Sequence, residues 1–129
     1  MTDTLSLVKT WHSRFDVPVL DEPALPEGRR DMRIALLEEE VAELRDAVEA
    51  GDLIKVLDAL CDIQYVLDGA FLEFGLHEVK AAAFAEVHDS NMSKLGRDGR
   101  PVRRADGKVL KGPDYRPPDL AAFLTRHRD

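Results

Sequence analysis

Five acidic residues in the first half of the chain are spaced for joint chemistry. Glu39, Glu40 and Glu43 lie close together, and Asp58 and Asp62 follow beyond a glycine. On a helix, Glu39 and Glu43 are i,i+4 neighbours, Glu40 and Glu43 are i,i+3, and Asp58 and Asp62 are i,i+4, so each set shares a face. Gly51 stands 11 residues after Glu40 and 11 before Asp62. If the chain folds back there, both carboxylates lie roughly 16 Å from the bend, at about 1.5 Å rise per residue. Glu43 and Asp58, 8 and 7 residues from Gly51, form a second level. Carboxylates gathered in this way repel one another unless a cation sits among them, and the simplest resident is a hard divalent metal with oxygen ligands. The plainer reading of such a run is an acidic, solvated helix face.

The elements that must position these groups are helices. Ile34, Leu37, Val41, Leu44 and Val48 recur every three and four residues, which predicts a helix over about 27–50 with a seam for packing on another helix. Leu53, Val56, Leu57, Leu60, Ile63, Leu67, Ala70, Phe71 and Phe74 predict a second, broadly apolar helix over about 52–74. Asp58 and Asp62 lie within that apolar register, where acids are rarely found without a partner or a metal. Ala50-Gly51-Asp52 supplies the turn: Gly51 can end one helix in the left-handed conformation, and Asp52 can cap the next. A first helix is expected over 5–15, capped by Thr4 or Thr2, with Trp11 as a packing residue rather than a stacking platform and His12 at the surface. Pro18, Pro23 and Pro26 make 16–27 an extended connection, long enough to cover a site. Arg29, Arg30 and Arg33 read as a solvated helix face. A fourth helix is expected over 77–89, with Val79, Ala83, Phe84 and Val87 inward. Helices with this much apolar width cannot satisfy themselves in one thin hairpin. The expected fold is all-α, a helical hairpin that completes a four-helix bundle by dimerisation or as a dimer of dimers.

From Ser90 the pattern changes. Asp98-Gly99 and Asp106-Gly107 mark turns, and Val102–Ala105 with Lys108–Lys111 can form a small β-hairpin around the second. A short final helix is expected over 120–127, capped by Asp119. The tail is rich in Lys and Arg, although the whole chain of 129 residues carries a net charge of −7. That balance argues against nucleic acid held along a basic surface. An acidic hairpin followed by a basic tail is instead the combination that a metal–polyphosphate site needs. The single cysteine, Cys61, excludes a disulfide within the chain and reads as a buried small hydrophobe. No signal peptide or membrane span is apparent, so the expectation is a cytoplasmic protein with no membrane partner. The length suits one domain over 1–129: an N-terminal helix and Pro-rich connection over 1–26, a helical core over 27–89 and a basic tail over 90–129.

With these residues in view, Glu39-Glu40-x-x-Glu43 resembles the first metal motif of the all-α nucleoside triphosphate pyrophosphohydrolases, the MazG-like and phosphoribosyl-ATP pyrophosphohydrolase-like proteins. Asp62 matches the aspartate that ends their second motif. The segments 84–94 and 106–113 look like their C-terminal region, so the resemblance spans about 38–120. One position departs from the pattern. Where the family has Glu three residues before its Asp, this chain has Ala59, with Asp58 beside it.

The resemblance implies metal-dependent hydrolysis of a nucleoside triphosphate between its α and β phosphates, giving monophosphate and pyrophosphate. It implies Mg²⁺, or Mn²⁺, held among Glu39, Glu40, Glu43, Asp62 and Asp58. Glu40 is either the base that deprotonates a water or a direct ligand. Asn91 and Lys94 become candidates for base, sugar or phosphate contacts, with Lys108 and Lys111 as further phosphate candidates. Two other readings stand beside this one: phosphoribosyl-ATP pyrophosphohydrolase of histidine biosynthesis, and a non-catalytic helical interaction module.

Overall fold

A computed structural model describes residues 3–125 of the chain. Backbone contacts group them into two units, divided between Glu78 and Val79. The fold is all-α apart from one very small hairpin.

The first unit holds three helices. Helix α1 spans Thr4–Arg14, α2 spans Arg29–Ala50 and α3 spans Leu53–Glu73. Asp3, rather than Thr4, caps α1 by accepting the Ser6 N–H at 2.7 Å, and Thr2 lies outside the described residues. Thr4 is exposed, and its hydroxyl donates to buried Asp68 at 2.7 Å. The bend between α2 and α3 forms as its residues dictate. Gly51 adopts φ 67° and its N–H reaches the carbonyls of Ala47 and Val48, while the Asp52 side chain accepts from Lys55 N.

At the far end of the hairpin a charge cluster closes it. Arg29 stands 22 residues before Gly51 and Glu73 stands 22 after it. Arg29 grips Glu73 with two hydrogen bonds of 2.6 and 2.9 Å. Arg33 Nε lies 2.7 Å from the same carboxylate, a charge contact without well-aligned hydrogen-bond geometry. Arg33 and Glu73 are buried, which corrects the expectation that Arg33 belongs to a solvated face. The physical reason is Gly69. A Cβ there would collide with the Arg33 guanidinium, so only a glycine lets that group lie flat on α3.

His12 is likewise buried, not on the surface, and its Nδ1 donates to the Pro18 carbonyl at 3.1 Å. Loss of hydration, reinforced by the nearby Arg33, holds its pKa below the usual histidine value, despite an opposing contribution from the Pro18 hydrogen bond. The Pro-rich connection straps the C-terminal end of α3, with Leu20 N–H on Leu72 O and Ala24 N–H on Phe74 O, each 3.0 Å. Leu72 is ten residues beyond Asp62, about 15 Å along the helix. This segment therefore secures the end of the hairpin and does not cover the carboxylates.

The expected seam of α2 is not buried within one chain. Ile34, Val41 and Val48 are exposed, as are Leu53, Ile54, Leu57 and Leu60 on α3. Cys61 is exposed beside them, a second departure from expectation. The residues of α2 and α3 nearest the bend that are buried are small ones, Ala47 and Ala59.

A 3-10 turn, His77–Val79, spans the boundary and leads into α4 of the second unit, Lys80–Met92. Phe84, expected inward, is exposed. Strands β1, Val102–Arg103, and β2, Val109–Leu110, pair antiparallel in the register Val102↔Leu110 around Asp106-Gly107. The chain then returns to α4. Buried Ser90 donates to Arg116 O at 2.8 Å, and Glu86 accepts from Arg116 Nη1 and from Asp119 N–H. Helix α5 spans Ala121–Thr125, and the remainder of the expected final helix lies outside the described residues. Among the described residues no helix is long and apolar enough to cross a membrane.

Candidate functional site

The hairpin is pinned at the Gly51 bend and at the Arg29–Glu73 pair, and Glu40 and Asp62 lie midway between the two pins on opposite arms. Their encounter follows from that register. One carboxylate oxygen from each of Glu40, Glu43 and Asp62 can be chosen so that all lie within 4.8 Å of one another. Glu40 and Asp62 are half-buried and Glu43 is exposed. The Glu40 Oε2 atom is buried and has no hydrogen-bond partner. A buried carboxylate oxygen with no donor is costly, and it points to a ligand that the protein alone does not supply.

The electrostatics agree. Burial first, then the charge of Glu43 and a hydrogen bond with it, and then the charges of Asp62 and Glu39, push the Glu40 carboxyl above the usual range. Asp62 is raised by burial and by the charges of Asp58 and Glu43. Both groups favour the ionised form less than free carboxylates do, and a cation among them would reverse that. Three hard oxygen donors, one of them otherwise unsatisfied, fit a hard divalent cation.

Of the acidic residues singled out by spacing, Glu40, Glu43 and Asp62 converge. Glu39 and Asp58 stand outside that trio, near enough for their charges to be felt at Glu40 and Asp62. Both are exposed. A cleft of about 450 Å³ opens beside the trio, lined by Glu43, Asp46, Ala47, Ala50, Lys55, Asp58 and Ala59. Buried Ala59 contributes only a methyl group to this lining, and exposed Asp58 stands next to it.

The other candidates belong to the second unit. Asn91 is exposed in the last turn of α4, and its carbonyl accepts the Lys94 N–H. Lys94 is half-buried, with its carbonyl taken by Gly112 N–H. Lys108 is exposed on the hairpin turn, and its N–H is fixed by Asp106. The Lys111 ammonium lies 4.9 Å above the centre of the Tyr115 ring.

Sequence reasoning missed the Arg29–Arg33–Glu73 cluster. The available signal was Glu73 itself, an acid inside the run Gly69-Ala-Phe-Leu-Glu-Phe-Gly75, which calls for a buried partner.

Comparison with known proteins points the same way. The profile of the family described as phosphoribosyl-ATP pyrophosphohydrolase matches residues 8–91. No curated protein matches the sequence. Among solved structures, a candidate NTP pyrophosphohydrolase from Exiguobacterium sp. 255-15 is 27% identical, with a TM-score of 0.52 over 98% of this chain and 96% of that one. The family match takes in α2, α3 and all three converging carboxylates, and the chain belongs to the phosphoribosyl-ATP pyrophosphohydrolase family.

Proposed function

We propose that the protein hydrolyses the α–β phosphoanhydride of a nucleoside triphosphate, releasing pyrophosphate, in a metal-dependent reaction that clears unwanted nucleotides from the pool. The observation that carries this reading is the convergence of Glu40, Glu43 and Asp62 within 4.8 Å, with Glu40 Oε2 buried and unpartnered. Glu40, Glu43 and Asp62 would hold Mg²⁺ or Mn²⁺, with Asp58 and Glu39 in supporting positions. The bound ion supplies neutralisation and alignment of phosphate oxygens for in-line displacement. Glu40 would in addition orient a water towards the α-phosphorus and take its proton. Asn91, Lys94, Lys108 and Lys111 supply contacts to the base, sugar or phosphates.

The exposed aliphatic residues of α2 and α3 support a homodimer, or a dimer of dimers, in which a second copy covers Ile34, Val41, Val48, Leu53 and Leu57. We read the whole chain as one domain of this kind, working in the cytoplasm. A second substrate, phosphoribosyl-ATP, is favoured by the family description itself.

Pyrophosphate release from a panel of dUTP, dCTP, oxidised purine triphosphates and phosphoribosyl-ATP, with Mg²⁺ and with EDTA, tests the reading. Turnover of at least one substrate that stops on chelation and returns with Mg²⁺ is expected. Turnover indifferent to EDTA excludes the metal. No turnover of any substrate, together with weak and unsaturable Mg²⁺ binding, leaves a helical interaction module as the better reading.

A further inference from the structure

The carboxylates leave a second feature of the first unit unused. Trp11 of α1 stacks on Phe15, just past the end of that helix, with ring centroids 4.6 Å apart and planes 19° apart. Tyr65 of α3 meets Trp11 edge-on at 6.2 Å. Large aromatic rings in a small domain ordinarily carry its buried area. These do not, for Trp11 is 39% exposed, Tyr65 42% and Phe15 63%. Trp11 thus contacts both Phe15 and Tyr65 at the surface, although it reads from sequence as a packing residue.

Their position relative to the carboxylates follows from the helix. Tyr65 comes three residues after Asp62, so the two side chains are neighbours on α3, with Cβ atoms about 5–6 Å apart. The aromatic group begins one turn from the place where a triphosphate would be gripped. A nucleotide presents the matching pair of features, an anionic chain and, a short distance away, a flat ring with apolar faces.

We propose that Trp11, Phe15 and Tyr65 form the platform on which the nucleobase of the substrate stacks. This rests on the nucleotide reading of the carboxylate centre. The aliphatic stripe of Leu53, Ile54 and Leu57 offers methyl groups that suit another protein surface. The Trp11 group offers π-faces, which every base can use, and Tyr65 adds a hydroxyl that can donate to or accept from a ring substituent.

Trp11 is the only tryptophan, so its fluorescence reports on the platform directly. The full-length protein is titrated with Mg²⁺ and an α,β-methylene nucleoside triphosphate, and in parallel with Mg²⁺ and inorganic tripolyphosphate, which has no base. Saturable quenching by the nucleotide and none by tripolyphosphate is expected. Phe15→Ala, at an exposed ring, should keep the circular dichroism of the parent. It should raise KM about tenfold or more while kcat stays within about twofold. Equal fluorescence responses to the two ligands, an unchanged KM in Phe15→Ala, or a Trp11 that acrylamide cannot reach in the nucleotide-free protein would each overturn the platform. Hydrolysis by the wild type with a silent Trp11 removes the platform alone, whereas absence of any hydrolysis removes the nucleotide reading and the platform with it.

Discussion

Glu40→Gln separates the cost of the carboxylate cluster from its use. In the metal-free protein Glu40 faces Glu43 and Asp62 within 4.8 Å. At that distance two unit charges repel by roughly 1 kcal/mol in water and about 3–4 kcal/mol at an effective dielectric constant near 20. Glu43 is exposed and the other two are half-buried, so solvent screening favours the lower figure. Removing one charge should therefore stabilise the metal-free protein by about 1–2 kcal/mol. For a chain of this length that is a rise in Tm of roughly 3–6 °C per kcal/mol. Thermal unfolding followed by circular dichroism, in EDTA and again in Mg²⁺, reads the effect. The wild type should gain Tm on adding Mg²⁺, by up to about 2.7 kcal/mol of stability when the ion is at a hundred times its Kd. The variant should start higher in EDTA, gain little from Mg²⁺ and release no pyrophosphate. A variant that melts lower than wild type in EDTA would refute the repulsion. One that gains as much from Mg²⁺ would remove Glu40 from the metal site, and one that turns over normally would remove it from the chemistry.

Two further outcomes concern the clamp at the other end of the hairpin. Glu73→Gln leaves buried Arg33 with no countercharge and should cost about 3–5 kcal/mol in urea unfolding; a loss under about 1 kcal/mol would show that the cluster does not hold the arms together. His12 has a folded-state pKa below 6.5, because burial and the nearby Arg33 disfavour its charged form. The unfolded chain then binds the extra proton more readily. The His12 contribution is complete above about pH 6.5 and is lost as pH falls through the folded value. His12→Gln should flatten the stability–pH curve in that window, and an unchanged slope would place the titration elsewhere.

The hairpin itself was legible in the sequence because its determinants are local. Gly51 and Asp52 make the bend through their own backbone and side-chain hydrogen bonds, and helical spacing carries Glu40 and Asp62 to one height. The Asp106-Gly107 hairpin was legible for the same reason. The burial of Arg33 and His12, and the exposure of Cys61 and of the Ile34–Val41–Val48 seam, were not legible in this way. Helical periodicity shows that a face is apolar but not which neighbour covers it.

Sequence alone therefore determined the helices, their turn and the level at which the acids meet, since each depends on residues a few positions apart. Only the tertiary structure decided which acids converge and which stand aside. It also decided that one glutamate binds two arginines across the hairpin, and that Trp11, Phe15 and Tyr65 remain at the surface. Those outcomes depend on how far α1, α2 and α3 rotate about their own axes when packed, a quantity set by small residues such as Ala47, Ala59 and Gly69 acting together across helices.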